Sequence, residues 1–310
     1  MSIQVTPETL RALRVAISMA MTKGRGMATP FWQKFAAKVS ANTKHVSFPM
    51  HAATARLRRW DGERKEIGGK AYDYQVTPEE FELTVAIPLA EVEDDNIGAW
   101  LHTLEDMGIQ IELWPDDLVI AVLLAGETGL GFDGKAFFAN DHSLKSGTTI
   151  DNLFGSTALT KANVAAVIAE MKSWVGEDGR SLRVTPNKLV VPPNQEDTAR
   201  EIVGSDLIAQ VFGSNTAAAG VRNTLQGRLG LEVLSELATD AGGNDTSWYV
   251  MDTTKPTKPL VLVERLAPKV VHKHADNDDN VFWDRKLVSG VRARGCAGYG
   301  PFWLAAKANA

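Results

Sequence analysis

The first apolar pattern in the chain predicts an amphipathic helix. Thr6 suits the N-cap position, Pro7 suits the first helical position, and Gly24 is expected to end the helix. The spacing of 3.6 residues per turn places a set of apolar side chains on one face of this helix. That face is formed by Leu10, Leu13, Ile17 and Met21.

An alternating segment and a long helical pattern come next. FELTVAIP, residues 81–88, alternates apolar and polar positions, which predicts a β-strand. Between residues 93 and 125 the apolar positions follow helical spacing, and Asp94 and Asp95 stand where carboxylates suit a helix N-terminus. Pro115 interrupts this pattern, so we predict one kinked helix of about 45 Å, at 1.5 Å per residue. A helix longer than the ordinary length is expected to serve as a spine.

The second half of the chain predicts shorter elements of both kinds. Residues 127–157 are glycine-rich and irregular, and we expect the stretch 213–230 to form a surface loop. A helix capped by Thr160 is followed by the strand NKLVVPP and the helix NQEDTAREIV. The remaining predicted strands are LGLEVLSEL, TSWYVMDT, PLVLVER and KLVSGVRARG. Because helices and strands mix without regular βαβ alternation, we predict an α+β fold.

Length and composition fit a folded protein with a substantial core. The chain has 310 residues, of which 44% are apolar and 23% are charged. Its longest apolar run, the stretch that follows Asp117, is too short for a membrane span, which needs about 18 residues, and we expect no secretory signal. A single cysteine, Cys296, cannot form an internal disulfide, and we expect it to be an inert small side chain.

Charge is distributed unevenly along the chain. Residues 1–65 hold 12 Lys/Arg and 3 Asp/Glu, a balance of +9, whereas residues 66–310 hold 21 and 35, a balance of −14. A basic front end can bind nucleic acid, act in targeting or contact an acidic partner. If copies of the chain associate, the basic part of one copy would meet the acidic remainder of the next.

The densest basic stretch is RLRRWDGERKEIGG, residues 56–69. It contains five basic and three acidic residues around Trp60 and an Asp61-Gly62 pair. An Asp-Gly pair favours a tight hairpin turn, and the charged flanks indicate a hairpin that does not lie on its own core. Such a hairpin would bind a small ligand, a nucleic acid or another protein.

Three motifs resemble sites of chemistry, and each has a simpler explanation. GLGFDG, residues 129–134, matches the dinucleotide-binding pattern but lacks the strand before it and the helix after it. HKHADNDDN, residues 272–280, resembles a metal site but departs from a calcium loop, so we favour a solvated turn. EVEDDN, residues 91–96, offers paired carboxylates, although a helix start explains them. His102 and His142 have no partner at motif spacing. We therefore predict no catalytic residue, no cofactor and no metal ligand.

The order of motifs resembles the Mu-like major head subunit family of tailed bacteriophages, the gpT type. The resemblance runs from about residue 30 to the C-terminus. It rests on LRRWDGER, FELTVAIP, VEDDNIG, WPDDLVIAVLLAG, FDGKAFFANDH, NKLVVPP, WYVMDTTKPTKPLVLVER and DNDDNVFWDRKLVSGVRARGCAGYGPFWLA. The last two stretches are the most specific, because aromatic and glycine positions recur in them.

The resemblance implies a particular α+β fold, the HK-ninety-seven-type capsid fold. Its parts would be an N-terminal arm (1–45), an extended hairpin called the E-loop (46–76) and a peripheral domain with the spine helix (77–126). An axial domain (127–245) and the return strands of the peripheral domain (246–310) would complete it. The predicted elements fit this division.

The resemblance also implies a function. The chain would be the major capsid protein of a tailed bacteriophage or Mu-like prophage, and would self-assemble into an icosahedral shell around the DNA genome. It would be no enzyme, and it would belong to the virion after assembly in the host cytoplasm. Its expected partners are copies of itself in hexamers and pentamers, scaffold and portal proteins, decoration proteins as an open case, and double-stranded DNA without sequence-specific contact. No membrane is expected.

Within such a shell, we expect the basic hairpin to contact a neighbouring subunit. Aromatic and arginine side chains dominate such contacts, and charges at the rim set orientation. The acidic surface of the spine helix, which also includes Glu91 and Glu93, is the expected receiver. The expected interface residues are Arg58, Arg59, Trp60, Asp61, Gly62, Glu63, Arg64, Asp94, Asp95, Asp116 and Asp117.

Two other functions stay open at the level of the sequence. An encapsulin-like nanocompartment shell shares the fold but would need a pocket that docks cargo. A metal-dependent hydrolase would use the stretch HKHADNDDN and would bind a stoichiometric metal ion.

Overall fold

The helices and strands are taken from a computed structural model that describes residues 6–50, 62, 72–94, 96–144, 147–211, 218–275 and 277–310. The α-helices are α1 (Pro7–Met27), α2 (Leu89–Glu93), α3 (Ile97–Leu124), α4 (Lys161–Ser173), α5 (Glu196–Gly204) and α6 (Asp279–Phe282). The strands are β1 (Ala36–Ser40), β2 (Val46–Met50), β3 (Tyr72–Val76), β4 (Glu79–Pro88), β5 (His142–Ser143), β6 (Thr149–Ile150), β7 (Leu153–Phe154), β8 (Lys188–Val191), β9 (Leu207–Val211), β10 (Ala218–Arg222), β11 (Gly230–Val233), β12 (Ser247–Met251), β13 (Leu260–Lys273), β14 (Lys286–Tyr299) and β15 (Ala305–Asn309).

Two sheets of different composition form the framework. The first has four strands in the order β1-β13-β14-β4, and the long antiparallel pair β13–β14 lies at its centre. The second has five strands in the order β11-β8-β12-β15-β7 and combines parallel with antiparallel pairs. The pairs β2–β3, β9–β10 and β5–β6 form separate two-stranded ladders. This mixture confirms the predicted α+β class.

The long helix α3 belongs to two hydrophobic cores. Its first half contributes Leu104 and Ile111 to a core shared with α1 and the four-stranded sheet. Its second half contributes Val119 and Leu123 to the large core around the five-stranded sheet. The helix therefore acts as the predicted spine, and Pro115 lies inside it without ending it. Among the described residues, no helix has the length and apolar character that crossing a bilayer requires.

Helix α1 packs against α3 at two glycines. A Cβ on Gly24 would lie 1.9 Å from the carbonyl oxygen of Glu105, and a Cβ on Gly108 would lie 2.2 Å from the carbonyl oxygen of Met21. Only glycine permits so close an approach of two helix backbones. The Thr6 cap is confirmed, because its side chain accepts a hydrogen bond from the Thr9 backbone N–H. The prediction that Gly24 ends the helix is wrong, since the helix continues through this contact to Met27.

The predicted start of the long helix also differs from the structure. Asp94 is the C-cap of the short helix α2, and α3 begins after Asn96, whose side chain makes no capping hydrogen bond. The helix-start explanation of Asp94 is therefore wrong, because this residue ends α2 and α3 begins only at Ile97. Asp95 lies outside the described residues.

A third correction concerns the stretch 213–230. Part of it pairs as a strand: β10 runs antiparallel to β9, with Leu207 opposite Arg222 and Val211 opposite Ala218. The sequence AAGVR has little alternation of large apolar and polar residues, so its pattern did not predict a strand. Residues 212–217 lie outside the described part of the chain.

We expect Gly108→Ala to destabilise the subunit, since the added methyl group would push α1 away from α3. Overpacking of this kind typically costs about 1–3 kcal/mol. Gly98→Ala is the matched control in the same helix, where a Cβ meets no atom within 4 Å. The control should stabilise the protein by up to about 1 kcal/mol, as glycine is a poor helix former. Urea unfolding of the unassembled subunit measures both changes in the free energy of unfolding. Equal changes for the two variants would contradict the close approach of α1 and α3 at Gly108.

Candidate functional site: the long helix and the surfaces beside it

The tip of the basic hairpin lies outside the described residues, with one exception. Arg58, Arg59, Trp60, Asp61, Glu63 and Arg64 are not described, whereas Gly62 has a φ of +98°. Glycine adopts such a left-handed value readily, which fits a tight turn at this position. A Cβ on Gly62 would meet no atom within 4 Å.

The base of the hairpin is a regular ladder. Strands β2 and β3 pair antiparallel, from Val46 opposite Val76 to Met50 opposite Tyr72. The Tyr74 hydroxyl accepts a hydrogen bond of 3.0 Å from the backbone N–H of Tyr299, at the end of β14. Burial raises the pKa of Tyr74, so its hydroxyl stays protonated. The base is therefore fixed to the body of the subunit.

Asp116 does not belong to the accessible acidic surface that we expected. It is only 4% exposed. Its Oδ1 accepts hydrogen bonds from the backbone N–H groups of Phe31 (3.0 Å) and Trp32 (2.7 Å). Burial raises the pKa of this carboxyl, and the nearby Asp117 and Glu236 act in the same direction. Asp116 thus ties the chain that follows α1 to the middle of α3.

The other acidic residues of the expected surface are more accessible. Asp94 and Asp117 are exposed, and Glu91 and Glu93 are partly exposed. Partial burial, together with the negative charge of Glu236, raises the pKa of Asp117. Because such a group gains from a neighbouring positive charge, Asp117 is the strongest candidate receiver on α3.

An apolar groove adjoins Asp117. It has a volume of about 210 Å³ and lies between α3 and the four-stranded sheet. Phe81 and Leu83 of β4 line one side and Trp114 of α3 lines the other. The Trp114 ring meets Phe81 edge-on, with the centroids 5.3 Å apart, and its buried Nε1 has no hydrogen-bond partner. Glu82 joins Asp117 among the lining residues. We call this site the spine groove.

Sequence reasoning missed the spine groove because its walls come from distant segments. One signal was present: Trp114 directly precedes the proline inside the helix, and Leu83 sits on the apolar face of a strand. Strand β4 is an edge strand of its sheet, and its face beside the spine groove is incompletely covered. Leu83 is accordingly 40% exposed.

The glycine-rich motif considered for chemistry forms a structural turn, whereas EVEDDN begins in helix α2 and HKHADNDDN begins at the end of strand β13. GLGFDG closes a turn in which the Gly131 N–H donates to the Lys135 carbonyl, and no helix follows it. Buried His142 does have a partner, since its Nδ1 lies 2.6 Å from Asp133 Oδ2 and its ring stacks on Phe302. No described group of three His, Cys, Asp or Glu residues could hold a metal ion.

Cys296 lies in a surrounding that suppresses its reactivity. Burial, reinforced by the negative charge of Glu79, raises the pKa of its thiol to about 11. The thiolate is the nucleophilic form, so the raised pKa supports the prediction of an inert side chain. The thiol packs beside a small core that includes Val261 and Val263.

The relatives that match this chain by sequence are phage head proteins. The family model described as Mu-like prophage major head subunit gpT matches residues 10–157, 152–231 and 230–310. The major capsid protein of Escherichia phage Mu is 23% identical over 304 residues, covering 98% of this chain and 74% of that protein. The Mu-like prophage FluMu major head subunit of Haemophilus influenzae is 23% identical over 306 residues, with coverage of 98% and 74%.

A solved structure shows the same fold. The procapsid of bacteriophage JBD30 matches with a TM-score of 0.61 and 24% identity, covering 99% of this chain and 76% of that chain. The predicted HK-ninety-seven-type fold is thereby confirmed, and so is the predicted role as a major capsid protein. Since the family model matches almost the whole sequence, the chain belongs to the Mu-like prophage major head subunit gpT family.

Proposed function

We propose that this head subunit closes an icosahedral shell by inserting the tip of its basic hairpin into the spine groove of a neighbouring copy. The shell would consist of hexamers and pentamers and would enclose double-stranded DNA. The proposal rests on the complementarity between the spine groove and the sequence of the hairpin. The chain has an accessible apolar groove with carboxylates at its edge, and the same chain has a tryptophan set among arginines.

The chemistry of the two surfaces matches group by group. Trp60 would place its ring between Leu83 and Trp114, where aromatic and aliphatic walls would bury a large apolar area. Arg58 and Arg59 precede Trp60 directly and would reach the carboxylate of Asp117. A desolvated aromatic ringed by charge pairs is the usual form of an interface hot spot.

Modest contacts of this kind suit a shell. Each 1.4 kcal/mol corresponds to about tenfold in affinity, and a contact repeated around a ring gains from effective concentration. The rigid base at β2 and β3 would aim the hairpin, and the groove lies on the stiff helix α3. The base of the hairpin and the groove are therefore both held in place before the copies meet.

The remaining expectations complete the proposal. The chain would divide into arm (1–45), E-loop (46–76), peripheral domain (77–126), axial domain (127–245) and return strands (246–310). Val46 and Val76, which pair with each other at the outer end of the β2–β3 ladder, are also the first and last residues of the proposed E-loop. Scaffold and portal proteins would act on the shell in the host cytoplasm. A net charge of −5 disfavours tight DNA binding, so the wall would not read bases.

The alternatives receive less support. Family membership favours a phage head over an encapsulin-like compartment. A metal-dependent hydrolase lacks a three-residue ligand cluster among the described residues.

Removal of the hairpin anchor should prevent shell formation. We expect Trp60→Ala combined with Arg58→Ala to leave soluble, folded subunits and to reduce closed shells at least tenfold, because the two central contacts are lost. Negative-stain electron microscopy and size-exclusion chromatography measure the yield. Lys172→Ala, which removes an exposed positive charge from α4, is the control and should assemble normally. Normal shells from the double variant would sink the proposal.

A charge exchange tests which surface receives the hairpin. Asp117→Arg should lower shell yield, since it would repel Arg58 and Arg59, and adding Arg59→Asp should restore part of that yield. Asp106→Arg reverses an exposed charge on the same helix outside the groove and serves as the control. Equal loss with Asp106→Arg, or no recovery in the paired variant, would argue against the spine groove as the receiver.

A further inference from the structure

A second cavity lies at the opposite end of α1 from the glycine contact. It has a volume of about 620 Å³ and separates the first turns of α1 from the end of β13. Arg11 and Arg14 line it from the helix. His272, His274 and Asp278 line it from the strand end and the following turn. The cavity is far larger than a packing defect, and most of its polar groups are basic.

The two arginines have no counter-charge within ion-pair distance among the described residues. Lys23 and Arg25, further along the same helix, each pair with a glutamate of α3, at 2.7 Å and 3.0 Å. Arg11 and Arg14 make no such pair with a described residue, although they stand one turn apart on the cavity side.

A chain of hydrogen bonds fixes the protonation of the histidines. The Ser18 hydroxyl donates to the Arg14 carbonyl at 2.9 Å, so it accepts from Nε2 of His272, 3.0 Å away. Neutral His272 then has a lone pair on Nδ1, which accepts from the Ser289 hydroxyl at 2.9 Å. Ser289 in turn accepts from Nε2–H of His274 at 3.0 Å. Each hydroxyl proton in this chain is used once.

This series of hydrogen bonds ends at Nδ1 of His274, which has no partner. With Nε2 of His274 acting as donor, its Nδ1 is left as a bare lone pair, and this buried atom has no hydrogen-bond partner. The residue is only 6% exposed. Buried polar atoms without partners are rare, and each one calls for an explanation. A proton on Nδ1 would give a positive charge to His274, which is one of the residues that line the cavity.

We propose that this cavity binds a phosphate-type oxyanion through Arg11 and Arg14, and that binding is accompanied by uptake of a proton on His274. The shared chemistry is a tetrahedral group with charged oxygens, which suits forked guanidinium donors. It would be a free phosphate ion or a phosphodiester of the packaged DNA. The site is independent of the hairpin contact.

The electrostatics of the empty cavity agree with this coupling. Burial lowers the pKa of His274 to about 4, and the nearby His272 and Arg14 lower it further, whereas Asp278 opposes them. Burial and Arg14 also lower the pKa of His272. An oxyanion would offset the positive charge of Arg14 and would therefore raise the pKa values of both His272 and His274. By linkage, the anion must then bind more tightly as the pH falls.

Asp278 is the one described carboxylate in the cavity wall. Its Oδ2 accepts a hydrogen bond of 2.9 Å from the backbone N–H of Ala275, which holds it in the turn. Glu8 lies in the first turn of α1 but does not line the cavity. Two guanidinium groups therefore face one carboxylate, which leaves an excess of positive charge for a bound anion.

Titration calorimetry of the full chain with sulfate tests the proposal, because the charge of sulfate does not change between pH 5 and pH 7.5. We expect one site per subunit and about two- to tenfold tighter binding at pH 5 than at pH 7.5, as a rise of the His274 pKa from about 4 to roughly 5–6 requires. Two buffers of different ionisation enthalpy would show proton uptake at pH 5. Absence of saturable binding, or equal affinity at both pH values, would overturn it.

Variants separate the two parts of the site. Arg11→Gln with Arg14→Gln should weaken sulfate binding at least tenfold, whereas Lys23→Gln with Arg25→Gln removes the same charge from the same helix and should leave it unchanged. His274→Gln keeps a donor toward Ser289 and should retain binding at pH 7.5 but lose most of the pH dependence, with only the contribution of His272 left. If the arginine pair variant failed to fold, the His274→Gln result would still decide the proposal. Equal weakening in both pair variants would mean general charge attraction and would contradict a built site.

Competition identifies the source of the oxyanion. A short DNA duplex that displaces sulfate, and that the arginine pair variant binds more weakly by the same factor, would indicate phosphodiester binding. Inorganic phosphate that displaces sulfate while the duplex does not would indicate a free ion. Failure of both to displace sulfate would contradict a phosphate-type site.

Discussion

The architecture depends on one helix that has to satisfy two cores. Leu104 and Ile111 of α3 are buried with α1 and the four-stranded sheet, and Val119 and Leu123 are buried with the five-stranded sheet. Because a single helix carries both sets, its backbone fixes how the two sheets are placed relative to each other. Asp116 lies between the sets and holds the chain after α1 in place. A buried carboxylate is costly unless it is hydrogen-bonded, so this contact is specific as well as stabilising.

This constraint is consistent with the places that we propose for the assembly surfaces. A subunit that must fit many identical neighbours benefits from contacts on stiff elements, since ordering a flexible surface on binding costs free energy. The spine groove is formed by α3 and by a strand of the four-stranded sheet. The hairpin base is fixed to β14 of that sheet through Tyr74. Helix α1 adds a third surface, whose cavity responds to charge and pH rather than to shape.

Local patterns predicted the elements, and non-local contacts decided their details. The alternation of FELTVAIP and the Thr160 cap were sufficient because strand period and N-caps are local properties. Gly24 looked like a helix end, yet its lack of a side chain serves the contact with α3. The burial of Asp116 and the Ser–His chain join residues far apart in the sequence, and no spacing rule reveals them. The basic hairpin was conspicuous in the sequence because its residues are contiguous, whereas its proposed receiver was not.

The most direct measurement is disulfide trapping in assembled shells. Asp61→Cys and Glu82→Cys place thiols beside Trp60 and on the lining of the spine groove, and Cys296→Ser removes the native thiol. If the hairpin of one copy contacts the groove of the next, mild oxidation should give a ladder of covalent oligomers on a non-reducing gel. A variant that carries only one of the two new cysteines should give nothing larger than dimers. Shells that form normally but yield only uncrosslinked or internally linked chains would contradict the account.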